Sequence, residues 1–426
     1  MRFLYSLLLA LVSPLFLFNL YKKKAGKPHI GIRWKEHFGF TPELNLPAPS
    51  SAPIWIHTVS VGEVLASKPI ILTLKKNYPH IPIIITTTTT TGAAQATKIK
   101  GVTHRYMPID FAWCIKGFLR QIKPQILLIM ETELWPNTLY QVHKKQIPII
   151  VMNARLSKKS QQNYQRIKPI FNLAAPYIRH IICQFKADQD RFLALGIPRE
   201  KLDVGGSVKF DLSIPPHIIP QGKQLAQEWH NRPTWIAAST HKGENKLILQ
   251  AHKKILASQP DALLLLVPRH PEDCAPVYTL IQDLDLTCTK RSTQNKIEDN
   301  IQVYLGDTMG EMLLMFAATD ISFMAGSLLG GKVGGHNVLE PAALSKPILT
   351  GPSYFNFQII TEQLINKKAC IICASPEQIA HHVLWLMQHP TQQKNMGEQA
   401  LKVVKENQGA VNHTLHIIAP YLSSSK

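Results

Sequence analysis

The amino-acid sequence predicts an α/β protein built from two doubly wound domains. Short apolar runs rich in β-branched residues alternate with longer amphipathic segments, which is the pattern of a parallel sheet with helices on both faces. A chain of 426 residues exceeds one ordinary hydrophobic core, so two domains are expected. The stretch LSIPPHIIPQG after Asp211 is rich in proline, has no charge and interrupts the alternation as a linker would.

Ten apolar runs are predicted to be strands, five in each domain. In chain order, those of the first domain are PIWIHTV, IPIIITT, QILLIM, IPIIVMN and HIICQF. Those of the second domain are TWIAAST, ALLLLVPRH, IQVYLG, DISFMAG and PILTG. The resulting organisation is a membrane anchor (1–21), a first domain (22–212), a linker (213–225) and a second domain (226–426). Because doubly wound sheets bind ligands at the carboxyl ends of their strands, we expect a ligand in a cleft between the domains.

The amino-terminal residues predict a membrane anchor. The stretch from Phe3 to Tyr21 carries no charge and is just long enough to cross a bilayer. Pro14 would kink this helix, which lipid-embedded helices tolerate. Three lysines, 22–24, follow directly, where a cleaved signal peptide would have small residues, and they favour the cytoplasm for the polypeptide that follows. We expect a signal anchor or an interfacial helix, with a cleaved leader as the lesser alternative.

The positive charge is concentrated in the first half of the chain. Residues 1–212 contain 29 Lys+Arg against 11 Asp+Glu, a net +18, whereas residues 213–426 contain 18 against 17, a net +1. This asymmetry indicates that the first half faces an anionic partner, which could be a membrane surface, a phosphorylated lipid or nucleic acid. A basic face that is merely solvated is the remaining alternative.

Cysteines and aspartates predict neither a disulfide framework nor a metal site. Six scattered cysteines are too few for a disulfide framework and indicate a reducing compartment. Cys370 and Cys373 form a C-x-x-C in an apolar run, and we expect them to be buried small hydrophobic residues. Asp188 and Asp190 open an amphipathic helix, where aspartate is common as a cap. We expect no catalytic metal and no cofactor.

Residues with catalytic potential follow the predicted strands of the first domain. In SVGE, Glu63 stands where a strand passes into a helix; taken alone, it fits a first-turn carboxylate better than a catalytic base. METELWPN puts Glu131 and Glu133 directly after a buried run, and GGSVKFD contributes Lys209. The run TTTTTTG suits a strand, but a row of hydroxyls beside Gly92 also suits a polyhydroxylated ligand.

The second domain has motifs suited to an anionic nucleotide. In PRHPE, Arg269 and His270 can bind phosphate. GDTMGEM reads as a turn that enters a helix, where free N–H groups favour anions. The glycine-rich GSLLGGKVGGHNVLEPA lets the backbone approach a ligand, and Glu340 could accept hydrogen bonds from ribose hydroxyls. No Walker lysine follows the glycines, which excludes a P-loop, and no G-x-G-x-x-G follows the first strand, which argues against a Rossmann dehydrogenase.

Taken together, these motifs resemble those of the 3-deoxy-D-manno-oct-2-ulosonic acid (Kdo) transferases of lipopolysaccharide synthesis. SVGE, METELWPN, NARLS, GSVKFD, PRHPE, GDTMGE and GGHNVLE occur in the order of that family and span nearly the whole chain. The resemblance implies a GT-B fold, with two Rossmann-like domains facing a central cleft. It also implies metal-independent, inverting transfer of Kdo from CMP-Kdo to a lipid A precursor, lipid IVA, at the cytoplasmic side of the bacterial inner membrane. The implied partners are these two substrates and anionic membrane lipids, with no nucleic acid.

The resemblance also implies roles for individual residues. Glu63 falls at the position of the family's proton acceptor, and Glu131 and Lys209 fall at those of its transition-state stabilisers. The implied contacts to CMP are Pro268, Arg269, Met309, Gly310, Glu311, Asn337, Val338, Leu339 and Glu340. With the resemblance in view, the catalytic role becomes the leading expectation for Glu63, because a sugar hydroxyl needs a general base near neutral pH.

Two other functions fit parts of the sequence. A glycosyltransferase that uses a UDP-sugar would need the same glycine loop and Glu340, because any ribose suits them. A membrane-bound module that holds nucleic acid would use the basic half, but the segments KKKAGK, LKK, HKK and LSKKS lack the interleaved aromatic residues that base stacking requires. The nucleic-acid function is therefore the weaker of the two.

Overall fold

The chain divides into two compact units, each with its own sheet. A computed structural model describes residues 1–22, 28–44, 52–293 and 297–422. The first unit comprises Met1–Asp211 together with Gln408–Lys426, and the second comprises Leu212–Asn407. Lys23 and Lys24, which follow the predicted anchor, lie outside the described residues.

A seven-stranded parallel sheet forms the centre of the first unit in the described part of the chain. Its strands are β1 Ile54–His57, β2 Ile83–Thr87, β3 Thr103–Tyr106, β4 Ile126–Met130, β5 Ile149–Ala154, β6 His180–Cys183 and β7 Leu202–Val204. Their order across the sheet is β3-β2-β1-β4-β5-β6-β7. Ile54 of β1 lies opposite both Ile83 of β2 and Ile126 of β4, so the carboxyl ends of these three strands meet at one edge.

Helices cover both faces of this sheet. They are α1 Arg2–Tyr21, α2 Val61–Asn77, α3 Thr90–Ala96, α4 Ala112–Ile122, α5 Pro136–Lys144, α6 Lys158–Arg166, α7 Lys168–Ala174 and α8 Lys186–Ala194. Successive side chains of a strand point to opposite faces. Trp55 therefore packs into one core with Phe118 of α4, while Ile54 and Ile56 pack into a second core with Ile71 of α2. Two filled cores confirm the doubly wound prediction for this half.

Helix α1 rests on the first unit by polar contacts. The Tyr5 hydroxyl donates to Asp110 at 2.9 Å, and the Arg2 guanidinium lies over the Tyr140 ring, 3.2 Å from its centroid. The opposite side of α1 exposes apolar side chains, with Phe3 82% and Leu11 71% accessible. Within the described residues, no helix combines the length and apolarity that crossing a bilayer requires.

The second unit repeats the same architecture. Its described strands are β8 Thr234–Thr240, β9 Leu263–Pro268, β10 Cys288–Lys290, β11 Val303–Leu305, β12 Ile321–Met324, β13 Ile348–Thr350 and β14 Cys370–Ile372, in the order β10-β11-β9-β8-β12-β13-β14 and all parallel. Its helices are α9 Ile218–Glu228, α10 Asn245–Leu256, α11 Cys274–Asp283, α12 Met312–Ala318, α13 Leu339–Ala343, α14 Gln358–Asn366, α15 Pro376–Gln388 and α16 Pro390–Glu406. Cys370 and Cys373 are buried free thiols in and after β14, as expected.

The boundaries differ from those expected in two places. Residues 226–426 were expected to form the second domain, whereas α17 (Ala410–Ile418), the last α-helix of the described residues, belongs to the first unit. Its Val411 and Leu415 complete the core that also contains Ile71. The expected linker 213–225 is largely helical, because α9 begins at Ile218 and packs against α12. Apolar spacing predicts a helix but does not specify which sheet the helix covers.

Candidate functional site

The Glu63 carboxylate lies at the carboxyl end of β1, in the first turn of α2. One of its oxygens accepts the Val59 N–H at 2.8 Å, and the other accepts the Ser60 hydroxyl at 3.1 Å. The Ser60 side chain in turn accepts the Glu63 N–H and caps α2, so the two residues cap the helix reciprocally. Glu63 is only 8% exposed. Burial raises the pKa of Glu63 despite the Val59 hydrogen bond, and the charge of Glu131 adds to this rise. Each carboxylate oxygen has a second lone pair, so the capping role leaves capacity to accept a proton.

Glu131 follows β4, the neighbour of β1 in the sheet. Its backbone adopts φ 58°, a left-handed conformation that non-glycine residues rarely take, and its N–H donates to Met152 O at 3.0 Å. Strain of this kind concentrates at functional sites and persists only where the surrounding structure enforces it. The turn directs a carboxylate to the same edge as Glu63, which explains their electrostatic interaction.

Glu133 brings a third carboxylate to this edge. Burial raises the pKa of Glu133 to about 7, and the charges of Glu63 and Glu131 contribute to that rise. Glu133 was noted in METELWPN, but no role was predicted for it. Its position two residues after Glu131, beyond a buried strand, was the available signal.

Lys209 supplies a cation beside these carboxylates. It lies in a short 3-10 helix, Val208–Phe210, whose first N–H donates to the Asn153 side chain at 3.2 Å and so holds the helix near the end of β5. Burial lowers the pKa of Lys209, the charge of Glu131 raises it, and the charge of Arg155 lowers it. Glu63, Glu131 and Lys209, chosen from three separate motifs, therefore lie at one end of one sheet.

The threonine run is used mainly inside the protein. The Thr86 hydroxyl accepts from Trp55 Nε1 at 2.8 Å, and the Thr89 hydroxyl donates to Val59 O at 3.0 Å. Thr89 also caps α3. Residues 89–91 line a largely apolar cavity of about 730 Å³, which the carboxyl end of α1 and the 3-10 helix Gly31–Phe38 complete. Only this end of the run has a position suited to a ligand.

In the second unit, Arg269 follows β9 at the edge where several motifs meet. Its N–H donates to Thr240 O at 2.9 Å, which ties it to the end of the neighbouring strand β8. Ser239 forms a bulge there, with φ 59°. The Pro268 side chain is buried at the end of β9, whereas Arg269 is exposed. Of this predicted pair, Arg269 therefore has the accessible side chain.

The segment 337–340 forms the entrance to α13. Asn337 donates to the Glu340 carboxylate at 3.0 Å and accepts the Leu339 N–H at 3.2 Å. Burial raises the pKa of Glu340, while the Asn337 hydrogen bond and the charge of Arg269 lower it. Glu340 and Arg269, predicted from different motifs, are thus neighbours. The Val338 and Leu339 side chains are buried in the unit, which leaves only their backbone to meet a ligand.

The segment 309–311 follows β11 and is arranged differently. Met309 is 74% exposed, and Gly310 adopts φ 85°, which suits glycine. The Glu311 carboxylate accepts from Arg291 Nη2 at 2.9 Å and Nε at 3.2 Å, and from the Thr308 hydroxyl. The Arg291 hydrogen bond lowers the pKa of Glu311. This carboxylate is therefore held by Arg291, which follows β10, and by Thr308 of its own loop.

Two further features were not assigned from the sequence. Glu244 is fully buried and binds backbone N–H groups of two loops, and His241 and His336 are hydrogen-bonded to each other beside Arg269. The available signal for His241 and Glu244 was the polar stretch HKGE, which directly follows the strand TWIAAST. Among the described residues, no group of three His, Cys, Asp or Glu side chains has the arrangement of a metal site. Asp188 caps α8 by accepting the Phe185 and Leu156 N–H groups, as expected of a helix-opening aspartate.

Family models match both halves of the chain. Residues 32–212 match the model described as 3-deoxy-D-manno-octulosonic-acid transferase (kdotransferase), and residues 234–403 match that of glycosyl transferases group 1. The chain is 37% identical over 425 residues to a 3-deoxy-D-manno-octulosonic acid transferase of Haemophilus influenzae, covering 99% of each chain. It is 30% identical over 390 residues to a protein of the same name from Bordetella pertussis, covering 88% of this chain and 89% of the relative.

A solved structure agrees with the fold. The UDP-GlcNAc 2-epimerase of Neisseria meningitidis bound to UDP-GlcNAc is similar with a TM-score of 0.58, at 15% identity, over 86% of this chain and 100% of the other. At that identity the similarity concerns the fold alone. The identity to the Haemophilus protein over the full chain carries the family assignment: this chain belongs to the 3-deoxy-D-manno-octulosonic acid transferases, which are glycosyltransferases.

Proposed function

We propose that this enzyme transfers Kdo from CMP-Kdo to a lipid A precursor, lipid IVA, with inversion at the anomeric carbon and Glu63 as general base. The observation that carries the proposal is the grouping of Glu63, Glu131 and Lys209 at one edge of the first sheet, near the carboxyl ends of β1, β4 and β5. These positions came from a family resemblance and converge in space. The family assignment supports the sugar that is transferred.

The first chemical step is removal of a proton from the acceptor. A Glu63 oxygen takes the proton of the acceptor sugar hydroxyl while the hydroxyl oxygen forms a bond to the anomeric carbon of Kdo. The raised pKa of Glu63 makes its carboxylate a stronger base than an ordinary glutamate. A general base in this position contributes about 10²–10⁴ in rate. Its bonds to Val59 and Ser60 fix the direction of the carboxylate.

The second requirement is stabilisation of the leaving group. The bond between the anomeric carbon and the phosphate oxygen breaks, and CMP departs with the electron pair. Lys209 and Arg269 would offset the negative charge of the donor and of departing CMP. Arg269 presents a planar fork of donors that matches phosphate oxygens, and Glu340 beside it would accept hydrogen bonds from ribose hydroxyls.

The acceptor would bind to the first unit, at the inner membrane. The excess of basic residues in the first half of the chain suits a phosphorylated lipid in an anionic bilayer. Both units would lie on the cytoplasmic side of that membrane. The exposed apolar side of α1 suits insertion into the interface, either as a signal anchor or as a helix lying in the bilayer surface. The cavity beside Thr90 and Thr91 would receive an apolar part of the acceptor, with the two hydroxyls towards its sugar.

The test is one incubation of the full chain with CMP-Kdo and tetra-acylated, bis-phosphorylated disaccharide lipid, followed by mass spectrometry. We expect a mass increase of one or more Kdo residues, which also counts the additions. A thermal-shift panel of nucleotides should show stabilisation by CMP. Stabilisation by UDP without a response to CMP, together with an unmodified lipid, would contradict the proposal and favour a UDP-sugar donor.

A further inference from the structure

An in-line pair of histidines lies at the carboxyl edge of the second sheet. His241 follows β8, and His336 lies in the glycine-rich segment that follows β12. Their Nε2 atoms are 2.8 Å apart, and the ring planes are within 4° of parallel with centroids 5.0 Å apart. Each neutral imidazole has one donor nitrogen and one acceptor nitrogen. The contact therefore requires that one ring donates and the other accepts, so the two rings share a single proton between their Nε2 atoms.

Glu244 builds the platform for this pair. Its carboxylate is fully buried and accepts four backbone N–H groups: those of His241 at 3.1 Å, Gly326 at 2.8 Å, and Ser327 and Leu328 at 2.9 Å. These bonds clamp the loop after β8 to the loop after β12. The arrangement brings two histidines that are 95 residues apart in sequence into direct contact.

Gly326 sets the position of the His336 ring. It adopts φ 72°, its carbonyl accepts the Gly335 N–H at 2.8 Å, and a Cβ there would lie 2.6 Å from His336 Cδ2. A side chain at this position would displace the imidazole. The glycine is therefore required for the pair as well as for the turn.

Groups of both signs surround the pair, which remains accessible. The His270 ring lies edge-on to His241 with centroids 5.7 Å apart, and both His241 and His336 are partly exposed. Burial and the neighbouring His241, Arg269 and His270 lower the pKa of His336 to about 4. Burial also lowers the pKa of His241. The charges of Glu244 and Asp273 raise this pKa, and those of His270 and Arg269 lower it. The free pair is thus neutral at physiological pH, beside an exposed guanidinium.

We propose that the His241–His336 pair is a proton-accepting subsite that, with Arg269, binds the phosphate of the nucleotide, so that nucleotide binding takes up at most one proton, and more of it at lower pH. This inference rests on the proposed donor site. One added proton converts the pair into imidazolium and imidazole and keeps the N–H···N bond, which becomes charge-assisted. A second proton would put two N–H groups against each other, which limits the uptake to one.

The size of the effect follows from the charge on the phosphate. An anion within about 4–6 Å raises the pKa of a cationic acid by about 1–3 units. For a shift in the middle of that range, from about 4 to about 6, the wild type should take up about 0.7 proton per nucleotide at about pH 5.5, and its Kd should rise about fourfold between pH 5.5 and 8. Kd rises with pH because the nucleotide-bound pair holds the proton more tightly than the free pair does.

Calorimetry of the full chain with the methyl ester of CMP tests this proposal. The phosphodiester keeps one charge throughout the pH range, so the phosphate of the probe contributes no titration, and cytidine controls for the base. Titrations in buffers of different ionisation enthalpy count the protons taken up. His336→Gln and His241→Gln should lose the uptake and the pH dependence of Kd while still binding the nucleotide. Gly326→Ala should do the same without removing a titratable group, with circular dichroism as the check on folding.

Two controls distinguish proton uptake by the histidine pair from other sources of uptake. His381→Gln alters a histidine of α15 and should keep the wild-type uptake. Cytidine, which lacks the phosphate, should bind without uptake. Binding without proton uptake, or uptake that survives both histidine variants, would overturn this inference and leave the donor assignment intact. Failure of the wild type to bind the CMP ester at any pH would overturn the donor assignment and this inference together.

Discussion

Glu131 occupies a backbone conformation that its residue type disfavours. At φ 58° the Cβ of an L-residue approaches its own backbone, at a cost of about 1–2 kcal/mol. Nothing in the run QILLIM predicts this turn, because a strand pattern specifies the alternation of faces and not the conformation of the residue that ends the strand. The sequence located the carboxylate; the structure adds that it is held under strain.

The strain at Glu131 gives the first prediction. Glu131→Gly should be more stable than Glu131→Ala by about 1 kcal/mol, because glycine adopts positive φ without a Cβ clash. Both variants should lose transfer activity. Urea unfolding followed by circular dichroism measures the difference. Equal stability of the two variants would show that the conformation relaxes when the carboxylate is removed.

The coupling between two carboxylates gives the second prediction. Glu63 must be ionised to accept a proton, so kcat/KM should rise with pH through the pKa of Glu63. The charge of Glu131 raises that pKa. Glu131→Gln should therefore move the acid limb of the pH–rate profile to lower pH, besides lowering its maximum. An acid limb that stays in place or moves to higher pH would contradict the coupling.

At the scale of elements, the sequence predicted the central strands and missed short edge strands. β3 (Thr103–Tyr106), β7 (Leu202–Val204) and β10 (Cys288–Lys290) are three or four residues long and lie at sheet edges. Sequences such as THRY and CTK lack the continuous apolar pattern of a strand buried on both faces. Their pairing depends on the neighbouring strand, which a local pattern does not contain.

The attachment of α17 gives the third prediction. Asp211 accepts the N–H groups of Gly409 and Val411, both at 2.6 Å, and so caps α17 on the first unit. Asp211→Ala should destabilise this unit by about 1–2 kcal/mol. Asp190→Ala, which removes a half-exposed carboxylate from an i,i+4 ion pair, should cost less than about 0.5 kcal/mol. Hydrogen exchange of α2 and α17 locates the effect; loss of protection confined to the second unit would contradict it.

At the scale of the whole molecule, charge and apolar surface are concentrated in the same part of the chain. The first half carries 29 Lys+Arg against 11 Asp+Glu, and α1 exposes Phe3, Leu11, Leu15 and Phe18. Apolar burial and attraction to anionic lipids add when a helix lies at a bilayer surface. Because Tyr5 near the start of α1 bonds to Asp110, this helix is held along its own unit.

Binding to vesicles is the fourth prediction. The full chain should sediment with anionic vesicles more than with neutral ones, and added salt should weaken the difference. Replacing Phe3, Leu11 and Leu15 with serine should remove most of the binding. Trp385, an exposed aromatic of α15 in the second unit, provides a control, and Trp385→Ser should bind as the wild type does. Equal binding by the triple variant would exclude α1 as the contact.

The candidate site was predictable where a motif carried the chemistry and unpredictable where long-range contacts create it. SVGE, METELWPN and GGSVKFD identified three side chains that meet at one sheet edge. The Glu244 clamp and the histidine pair depend on two loops whose histidines lie 95 residues apart, and each loop alone reads as a turn. Burial of Val338 and Leu339 likewise follows from the tertiary packing of α13 rather than from its sequence.

The central claim is that the Glu63 carboxylate accepts the acceptor's proton, and single-turnover transfer by Glu63→Gln tests it most directly. CMP binding is measured on the same sample, and Asp188→Asn serves as a matched control because Asp188 also caps a helix by accepting backbone N–H groups. We predict that Glu63→Gln binds CMP as the wild type does and transfers Kdo about 10²–10⁴ times more slowly, while Asp188→Asn loses stability and retains its rate. A folded Glu63→Gln variant that transfers Kdo within severalfold of the wild-type rate would contradict the claim.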